Sequence, residues 1–380
     1  MLSNYLGIIS ITENEDNIKN LTKNRRIASI PIAGRYRVID FVLSNLVNAG
    51  IRNVGIFTQS KSRSLIDHIG SGKPWDLDRK IGGLFVFNFG ETNSYLSDVE
   101  MLKNNIEYLY RSKETKVILT SSTMVCNIDF RKVAKFHEES GKDITIVYKK
   151  VKTDNQSFLN CNVLSIGKNH MVSSVGKNIK MSQIPCKKNI VSDGYENISM
   201  ETILLDKEIY INMLNDCIKT GHWDSIYDCI YKNVQDLNVN AYEFKGYLSY
   251  IDSIHSYYKA NMDILDVNIN KELFFNNGLI YTKIMDESPT KYSEDSEVNN
   301  SLIANGCLVE GKIKSSVISR RVIVHEGAEI ENCIIMQGCE IKANAKLSNV
   351  IIDKNNIIDE NVELKGDINF PLVIEKKALL

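Results

Sequence analysis

Basic side chains that could hold an anion are concentrated in residues 21–50. Arg25, Arg35 and Arg37 lie there around a region of turn-forming proline and glycine, and several arginines close together suit the recognition of phosphate. They could bind an anionic sugar phosphate or an effector, or they could be solvated or paired with Asp40. We therefore take Arg25, Arg35 and Arg37 as the candidate ligand-binding residues.

The element that follows these arginines is a predicted helix. Val38, Phe41, Val42 and Leu46 recur at helical spacing, and Gly50 stands where a helix commonly ends. This apolar stripe predicts a helix that faces the core.

Strands and helices alternate through the first half of the chain. Tyr5–Ile11 and Asn53–Thr58 have the short apolar composition of buried strands, and helical periods follow at 64–69 and 98–111. Such alternation predicts a doubly wound α/β domain with a mostly parallel sheet. The less regular residues 159–273 are expected to complete that domain.

The character of the sequence changes beyond Ser301. Apolar residues recur there at steps of roughly six, with small or turn-forming residues between them. This period fits neither a helix nor a flat sheet, and it predicts a β-helix of hexapeptide repeats. The expected domains are residues 1–285, a polar linker at 286–300, and a β-helix at 301–380.

Composition excludes several classes of function. The 380 residues carry a net charge of −1, which provides no global field for nucleic acid or acidic lipid. No apolar run is long enough for a membrane span, and the N-terminus does not read as a signal peptide. Eight cysteines without a C-x-x-C pair and six histidines without zinc-like spacing favour a reducing cytoplasm and structural roles.

Three long segments resemble the ADP-glucose pyrophosphorylase family, which makes ADP-glucose from glucose 1-phosphate and ATP. They are LTKNRRIASIPIAGRYRVIDFVLSN, which starts at Leu21, GKPWDLDR at 72–79, and GYLSYIDSIHSYYKANMDIL at 246–265. Their order and spacing match the family nearly from end to end. The resemblance implies a GT-A-like, Rossmann-like nucleotidyltransferase domain followed by a left-handed parallel β-helix.

Nucleotidyl transfer in this family depends on positioning phosphates and neutralising their charge. The resemblance places a glycine-rich phosphate loop at residues 12–17, where this chain has TENEDN. Glu13, Glu15 and Asp16 would each repel a phosphate by about 1 kcal/mol at 4 Å even in water. The family's phosphate-binding lysine falls on Ile27, although Arg25 keeps the arginine before it.

The family's magnesium ligands are also replaced. The aspartate that follows a central strand falls on Thr123 or Ser122, and Asp129 matches only a later aspartate that does not bind metal. Hydroxyl side chains are not anionic ligands for magnesium. The second acidic ligand falls on Tyr250, and the family's neighbouring glycine becomes Asp252.

These losses, together with the replacement of a further motif at residues 97–100, make the chain similar to the non-catalytic subunits of the family. We expect a cytoplasmic, regulatory subunit with no catalytic residues and no cofactor of its own, Mg²⁺ being needed only by the active partner. The expected partner is a catalytic ADP-glucose pyrophosphorylase subunit, in a hetero-oligomer and most simply a tetramer. A sugar-phosphate effector is possible, whereas nucleic acid and membrane are not expected.

Three alternatives stay open. The first is an active, divergent sugar-1-phosphate nucleotidyltransferase in which Asp98, Glu100 or Asp252 rebuilds the metal site. The second is a hexapeptide-repeat acyltransferase, which lacks a convincing histidine loop. The third is a scaffold that senses a sugar phosphate without a partner enzyme.

Overall fold

The computed structural model describes residues 1–89, 97–153, 156–178, 194–221 and 225–376. Residues 179–193 and 222–224, in the region predicted to complete the first domain, lie outside the described part. The chain forms two compact units. Unit 1 comprises Met1–Glu13, Phe41–Tyr250 and Asn277–Ile280, and unit 2 comprises Asn14–Asp40, Ile251–Asn276 and Tyr281–Leu380.

Within the described ranges, thirteen strands precede the C-terminal β-helix. They are β1 (Tyr5–Ile11), β2 (Pro31–Ile32), β3 (Tyr36–Arg37), β4 (Asn53–Thr58), β5 (Gly83–Asn88), β6 (Lys116–Ser121), β7 (Met124–Val125), β8 (Ile144–Lys152), β9 (Asn162–Ile166), β10 (Val172–Lys177), β11 (Tyr195–Asp206), β12 (Val239–Glu243) and β13 (Ser249–Tyr250).

A nine-stranded sheet forms the centre of unit 1, and β1 lies in its middle. Every residue of β1 is buried, as expected of a continuous apolar strand in a sheet covered on both faces. The order is β10-β9-β11-β6-β1-β4-β5, with β8 joined to β11 and β12 joined to β8. β1, β4, β5 and β6 run parallel, but β11 is antiparallel to β6, β8 and β9. The sheet is therefore mixed, because alternation of element types does not fix the direction of a strand.

Helices surround these strands along the chain. They are α1 (Lys19–Thr22), α2 (Val38–Asn48), α3 (Arg63–Ile69), α4 (Asp98–Asn104), α5 (Ile106–Arg111), α6 (Phe130–Ser140), α7 (Lys207–Thr220), α8 (Ile226–Lys232), α9 (Ile254–Asp263) and α10 (Val267–Phe274). In the described ranges, none of them combines the length and hydrophobicity that a membrane span requires.

Helix ends follow from local capping chemistry. α6 starts after Asp129, whose side chain accepts from the Arg131 N–H, and it stops at Gly141 with φ +59°. The single helix predicted over 98–111 is instead two helices, α4 and α5, divided at Asn105. The Asn105 side chain donates to the Met101 carbonyl oxygen at 3.1 Å, a local bond of the kind that competes with continued helix.

The C-terminal part of unit 2 is the predicted left-handed β-helix. Its three five-stranded sheets are parallel throughout, and Ile313, Ile330, Leu347 and Leu364 stack directly on one another. Its strands are β14 (Lys291–Tyr292), β15 (Glu297–Asn299), β16 (Leu302–Ile303), β17 (Leu308–Val309), β18 (Lys312–Lys314), β19 (Val317–Ile318), β20 (Ile323–Val324), β21 (Glu329–Glu331), β22 (Ile334–Ile335), β23 (Glu340–Ile341), β24 (Lys346–Ser348), β25 (Val350–Ile352), β26 (Ile357–Ile358), β27 (Glu363–Lys365) and β28 (Leu372–Ile374).

The polar linker predicted at residues 286–300 needs correction. β14 pairs with β17 and β15 pairs with β18, so this stretch already supplies strands of the first coil. All five residues of these two strands are exposed, which explains their polar composition. The sequence also assigned residues 14–40 and 251–276 to the first domain, whereas they cluster in unit 2.

Candidate functional site

The carboxyl ends of β1 and β6 form the candidate ligand site of unit 1. From β1 the chain continues to β4 and β5 on one side of the sheet, and it later places β6 on the other side of β1. Such a reversal of strand order opens a crevice at the carboxyl edge, where open α/β sheets bind their ligands. Thr12 and Glu13 follow β1 there, and Ser122 and Thr123 follow β6.

A carboxylate of the chain itself occupies this edge. The Glu13 Oε1 atom accepts a hydrogen bond from the Ser122 N–H at 3.0 Å and another from the Ser122 Oγ at 2.8 Å. Ser122 and Thr123 are fully buried, and the Thr123 Oγ1 lies 3.1 Å from the Ser121 Oγ. The hydroxyl groups that stand at the predicted metal position are thus bonded within unit 1.

Glu201 brings a second carboxylate toward the same edge. It lies in an irregular part of β11 with φ +47°, a backbone region that non-glycine residues seldom adopt. Burial raises the pKa of Glu201 to about 7, and the negative charge of Glu13 adds to that shift. A hydrogen bond with Ser121 opposes it. Sequence reasoning missed Glu201, because a single glutamate within a strand carries no motif.

The three acidic residues predicted to face a phosphate belong to different units: Glu13 contacts the carboxyl edge of the sheet in unit 1, and the other two belong to unit 2. Glu15, in unit 2, accepts from the Ile27 N–H at 2.9 Å and lies 3.4 Å from the Arg26 Nε. Asp16 is exposed and pairs with Lys19 at 2.8 Å. Glu15 and Asp16 are thus held by local contacts within unit 2, where a short 3₁₀ helix begins at Asp16.

Asp98 and Glu100, two candidates for a rebuilt metal site, act as helix caps. Asp98 is buried and accepts from the Ser225 Oγ and the Ile226 N–H, both at 3.1 Å, at the start of α8. Burial raises the pKa of Asp98 to about 7. Glu100 closes a capping box with Ser97 at the start of α4.

The remaining candidate, Asp252, belongs to unit 2, whereas Asp98 and Glu100 belong to unit 1. Asp252 accepts from the Ser256 Oγ at 3.0 Å, and burial raises its pKa. Within the described ranges, no group of three or more His, Cys, Asp or Glu side chains could hold a metal ion. Ser122 and Thr123, at the first of the family's magnesium positions, do not fit such a metal, because their hydroxyl groups are bonded to Glu13 and Ser121.

Arg25, a predicted ligand-binding residue, is buried in unit 2. Its Nη1 and Nη2 atoms each lie 3.0 Å from a carboxylate oxygen of Asp353, in a two-bond ion pair. Asp353 follows β25 and also accepts from the Lys354 N–H at 2.7 Å. The pair therefore joins the basic stretch to the β-helix inside unit 2.

Arg37 belongs to the same cationic group. Burial lowers the pKa of Lys354 to about 7, and the charges of Arg37, Arg25 and Lys376 lower it further, while Asp353 opposes them. We call Arg25, Arg37 and Lys354 the cationic cluster. Sequence analysis could not find Lys354, because over three hundred residues separate it from the arginines.

Arg35, the third predicted residue, contacts a different arginine. Its exposed guanidinium lies 5.3 Å from the centre of the Tyr36 ring, and its carbonyl oxygen accepts from the Arg320 Nη2 at 3.5 Å. Burial lowers the pKa of Arg320, and the charge of Arg35 lowers it further. Arg35 is thus linked to Arg320 rather than to Lys354.

Comparison with known proteins identifies both parts of the chain. Residues 17–159 match the nucleotidyl transferase family, and residues 284–369 match the GlmU-like, C-terminal hexapeptide family. The glycogen biosynthesis protein GlgD of Bacillus subtilis (strain 168) is 35% identical over 98% of this chain and 95% of its own length. GlgD of Geobacillus stearothermophilus is 34% identical over 87% of this chain and 84% of its own length. A glucose-1-phosphate adenylyltransferase of Mycoplasma mobile is 31% identical, with coverages of 83% and 81%.

Proposed function

The chain belongs to the family of the GlgD proteins and the glucose-1-phosphate adenylyltransferases, and on this premise we propose that it is a non-catalytic, regulatory subunit of a glucose-1-phosphate adenylyltransferase. It would serve ADP-glucose synthesis for glycogen by modulating an active paralogous subunit. The partner carries the Mg²⁺, and the mixed assembly is a cytoplasmic hetero-oligomer, most simply a tetramer.

The observation that carries this proposal is the contact between Glu13 and Ser122. A nucleotide phosphate bound at this position would need hydrogen-bond donors and positive charge. In this chain the Glu13 carboxylate already accepts from the available donors, the Ser122 N–H and the Ser122 Oγ. Glu201 adds a second acidic group nearby. Two carboxylates at a phosphate position oppose binding and supply none of the charge neutralisation that phosphoryl chemistry requires.

The alternative with a rebuilt metal site has weaker support. Asp98, Glu100 and Asp252 already accept hydrogen bonds at helix starts, and moving any of them to a metal would leave backbone or hydroxyl donors without partners.

A regulatory role needs a place for an effector, and we assign it to the cationic cluster. We propose that Arg37 and Lys354 contact an anionic sugar phosphate, because both are cations and their charges interact within unit 2. With a pKa of about 7, Lys354 is partly neutral in the free protein, and an arriving phosphate would favour its charged form. Effector binding at neutral pH should therefore take up a proton.

The test of catalysis uses the purified chain, the active paralogue and their mixture in one assay of ADP-glucose formation with magnesium. We expect no turnover from this chain alone, and altered turnover or affinity in the mixture. A mixture with a catalytically inactivated paralogue should be silent, which assigns all turnover to the partner. Turnover by this chain alone that is lost on replacing Asp98, Glu100 or Asp252 would instead establish the rebuilt-site enzyme.

The test of assembly uses size-exclusion chromatography with light scattering on the co-expressed proteins. A stable mixed oligomer whose kinetics differ from those of the partner alone is the expected outcome. Two separate homo-oligomer peaks with unaltered partner kinetics would contradict the regulatory subunit and favour a scaffold that works without a partner enzyme.

A further inference from the structure

We propose that the Glu13 carboxylate acts as an internal ligand of unit 1. It occupies the anion-binding position at the carboxyl ends of β1 and β6, where an external anion would otherwise bind. The site therefore differs from one that has only lost its reactive groups, because the Glu13 side chain occupies it. This inference deepens the proposed absence of catalysis, but it concerns binding to this chain alone and needs no partner.

The location supports the proposal first. β1 and β6 are adjacent and parallel, with Ser10 opposite Ser121, so the segments after them leave the sheet side by side. The reversal of strand order falls between these two strands. The general geometry of open α/β sheets therefore predicts a ligand where the Glu13 carboxylate lies.

The donors support it second. A backbone N–H and a hydroxyl from one residue converge on a single Glu13 oxygen at 3.0 and 2.8 Å, which is how proteins hold bound carboxylate and phosphate oxygens. Ser122 is fully buried, so the amide has no access to water as a substitute partner. Without Glu13, the amide would need another acceptor.

The contact between Glu13 and Ser122 should exclude an external anion and also fix the local conformation. Glu13 joins the segment after β1 to the segment after β6, which are the two segments that a bound ligand would bridge. The Glu13 carboxylate therefore keeps this edge in a ligand-filled arrangement at all times. Nucleotide or phosphate should neither enter the crevice nor change its conformation in the wild-type chain.

Three variants of the full-length chain separate occupancy from charge. Glu13→Ala removes both the acceptor and the charge, whereas Glu13→Gln keeps an oxygen that can accept from Ser122. Asp16→Asn removes a charge three residues further along the chain, where Asp16 is exposed and paired with Lys19. The probe is inorganic phosphate, with chloride at matched ionic strength as reference.

We expect saturable phosphate binding by calorimetry in Glu13→Ala, at least about tenfold stronger than in the wild type. Phosphate should also raise the melting temperature of Glu13→Ala, which chloride should not do. Glu13→Gln and Asp16→Asn should resemble the wild type. If Glu13→Gln binds phosphate as well as Glu13→Ala, charge rather than occupancy excludes anions, and the proposal fails.

A folded Glu13→Ala that binds phosphate no better than the wild type would also overturn the inference. Should Glu13→Ala fail to fold in chloride, refolding in phosphate gives the answer, because an anion in the position of Glu13 should increase the folded yield. Equal yields in the two salts would contradict the proposal. Turnover of ADP-glucose is a separate measurement, so a wild-type enzyme activity would refute the proposed function without deciding this question.

Discussion

Replacing Arg25 by alanine should lower the free energy of unfolding of unit 2 by about 3 kcal/mol. This loss is larger than the one expected if Arg25 only contacted an effector. Both side chains of the Arg25–Asp353 pair are less than a tenth exposed, and two bonds of 3.0 Å join them. Removing one partner of a buried pair typically costs about 3–5 kcal/mol, because it leaves the other charge uncompensated. The lower end applies here, since Asp353 keeps its bond from the Lys354 N–H and Lys354 loses a repulsive neighbour.

The assay is chemical unfolding followed by circular dichroism, with hydrogen exchange read on peptides of the β-helix to locate the loss. The double variant R25A/D353N should cost about 2 kcal/mol less than the sum of the single variants, since neither charge is then left alone. Lys23→Ala is the matched control. Lys23 also pairs with a carboxylate of the β-helix, Glu375, but both are exposed, so its removal should cost roughly 0–1 kcal/mol.

Additive single and double variants, or an Arg25→Ala cost no larger than that of Lys23→Ala, would refute the description of Arg25 as a buried structural charge. The result also decides how effector binding is tested. If Arg25 holds unit 2 together, its substitution cannot report on an effector cleanly. Arg37 and Lys354 are then the positions to change.

Three further outcomes follow from the structure. Lys354→Met should weaken the binding of an anionic sugar phosphate measured by calorimetry. Because the folded pKa of Lys354 is below the unfolded one, wild-type stability should rise from about pH 7 towards pH 10, and the variant should lose that rise in unfolding experiments. The folded pKa of Glu201, about 7, is above the unfolded value of about 4.5, so wild-type stability should fall as the pH rises between these values. Compared with the wild type, Glu201→Gln should therefore be more stable at pH 8 than at pH 5 in the same assay. Truncation after residue 300 should cost solubility and assembly by light scattering, because β14 and β15 lose the strands they pair with; an unchanged oligomer would contradict a role of the β-helix in assembly.

The sequence predicted those features that depend on neighbouring residues. The bounds of β1 and β4 follow from short apolar runs, and the β-helix follows from its six-residue period. β5 was not predicted, although it is a largely apolar strand; it begins at Gly83 and only part of it is buried. The first coil at 286–300 was misinterpreted as a linker because its five strand residues are all exposed and most of the stretch is polar.

Site residues were predicted less well, because their roles depend on partners far along the chain. Arg25 bonds to Asp353, and Asp98 accepts a hydrogen bond from Ser225. No local sequence pattern predicts either contact. The arginines were expected to share one role. The structure instead divides them between an ion pair, the cationic cluster and a contact with Arg320.

The same contacts explain why restoring one reactive group would not restore a metal site. An aspartate in place of Thr123 would enter a buried network that already contains Glu13 on Ser122 and Glu201 beside Ser121. At a separation of about 5 Å and an effective dielectric constant of 20, each pair of carboxylates repels by roughly 3 kcal/mol. The new acid would therefore bind a proton at neutral pH rather than a metal. Because Glu13 bonds to Ser122 after β6 and Glu201 bonds to Ser121 at the end of β6, recovery of a metal site requires their removal together with the return of the aspartate.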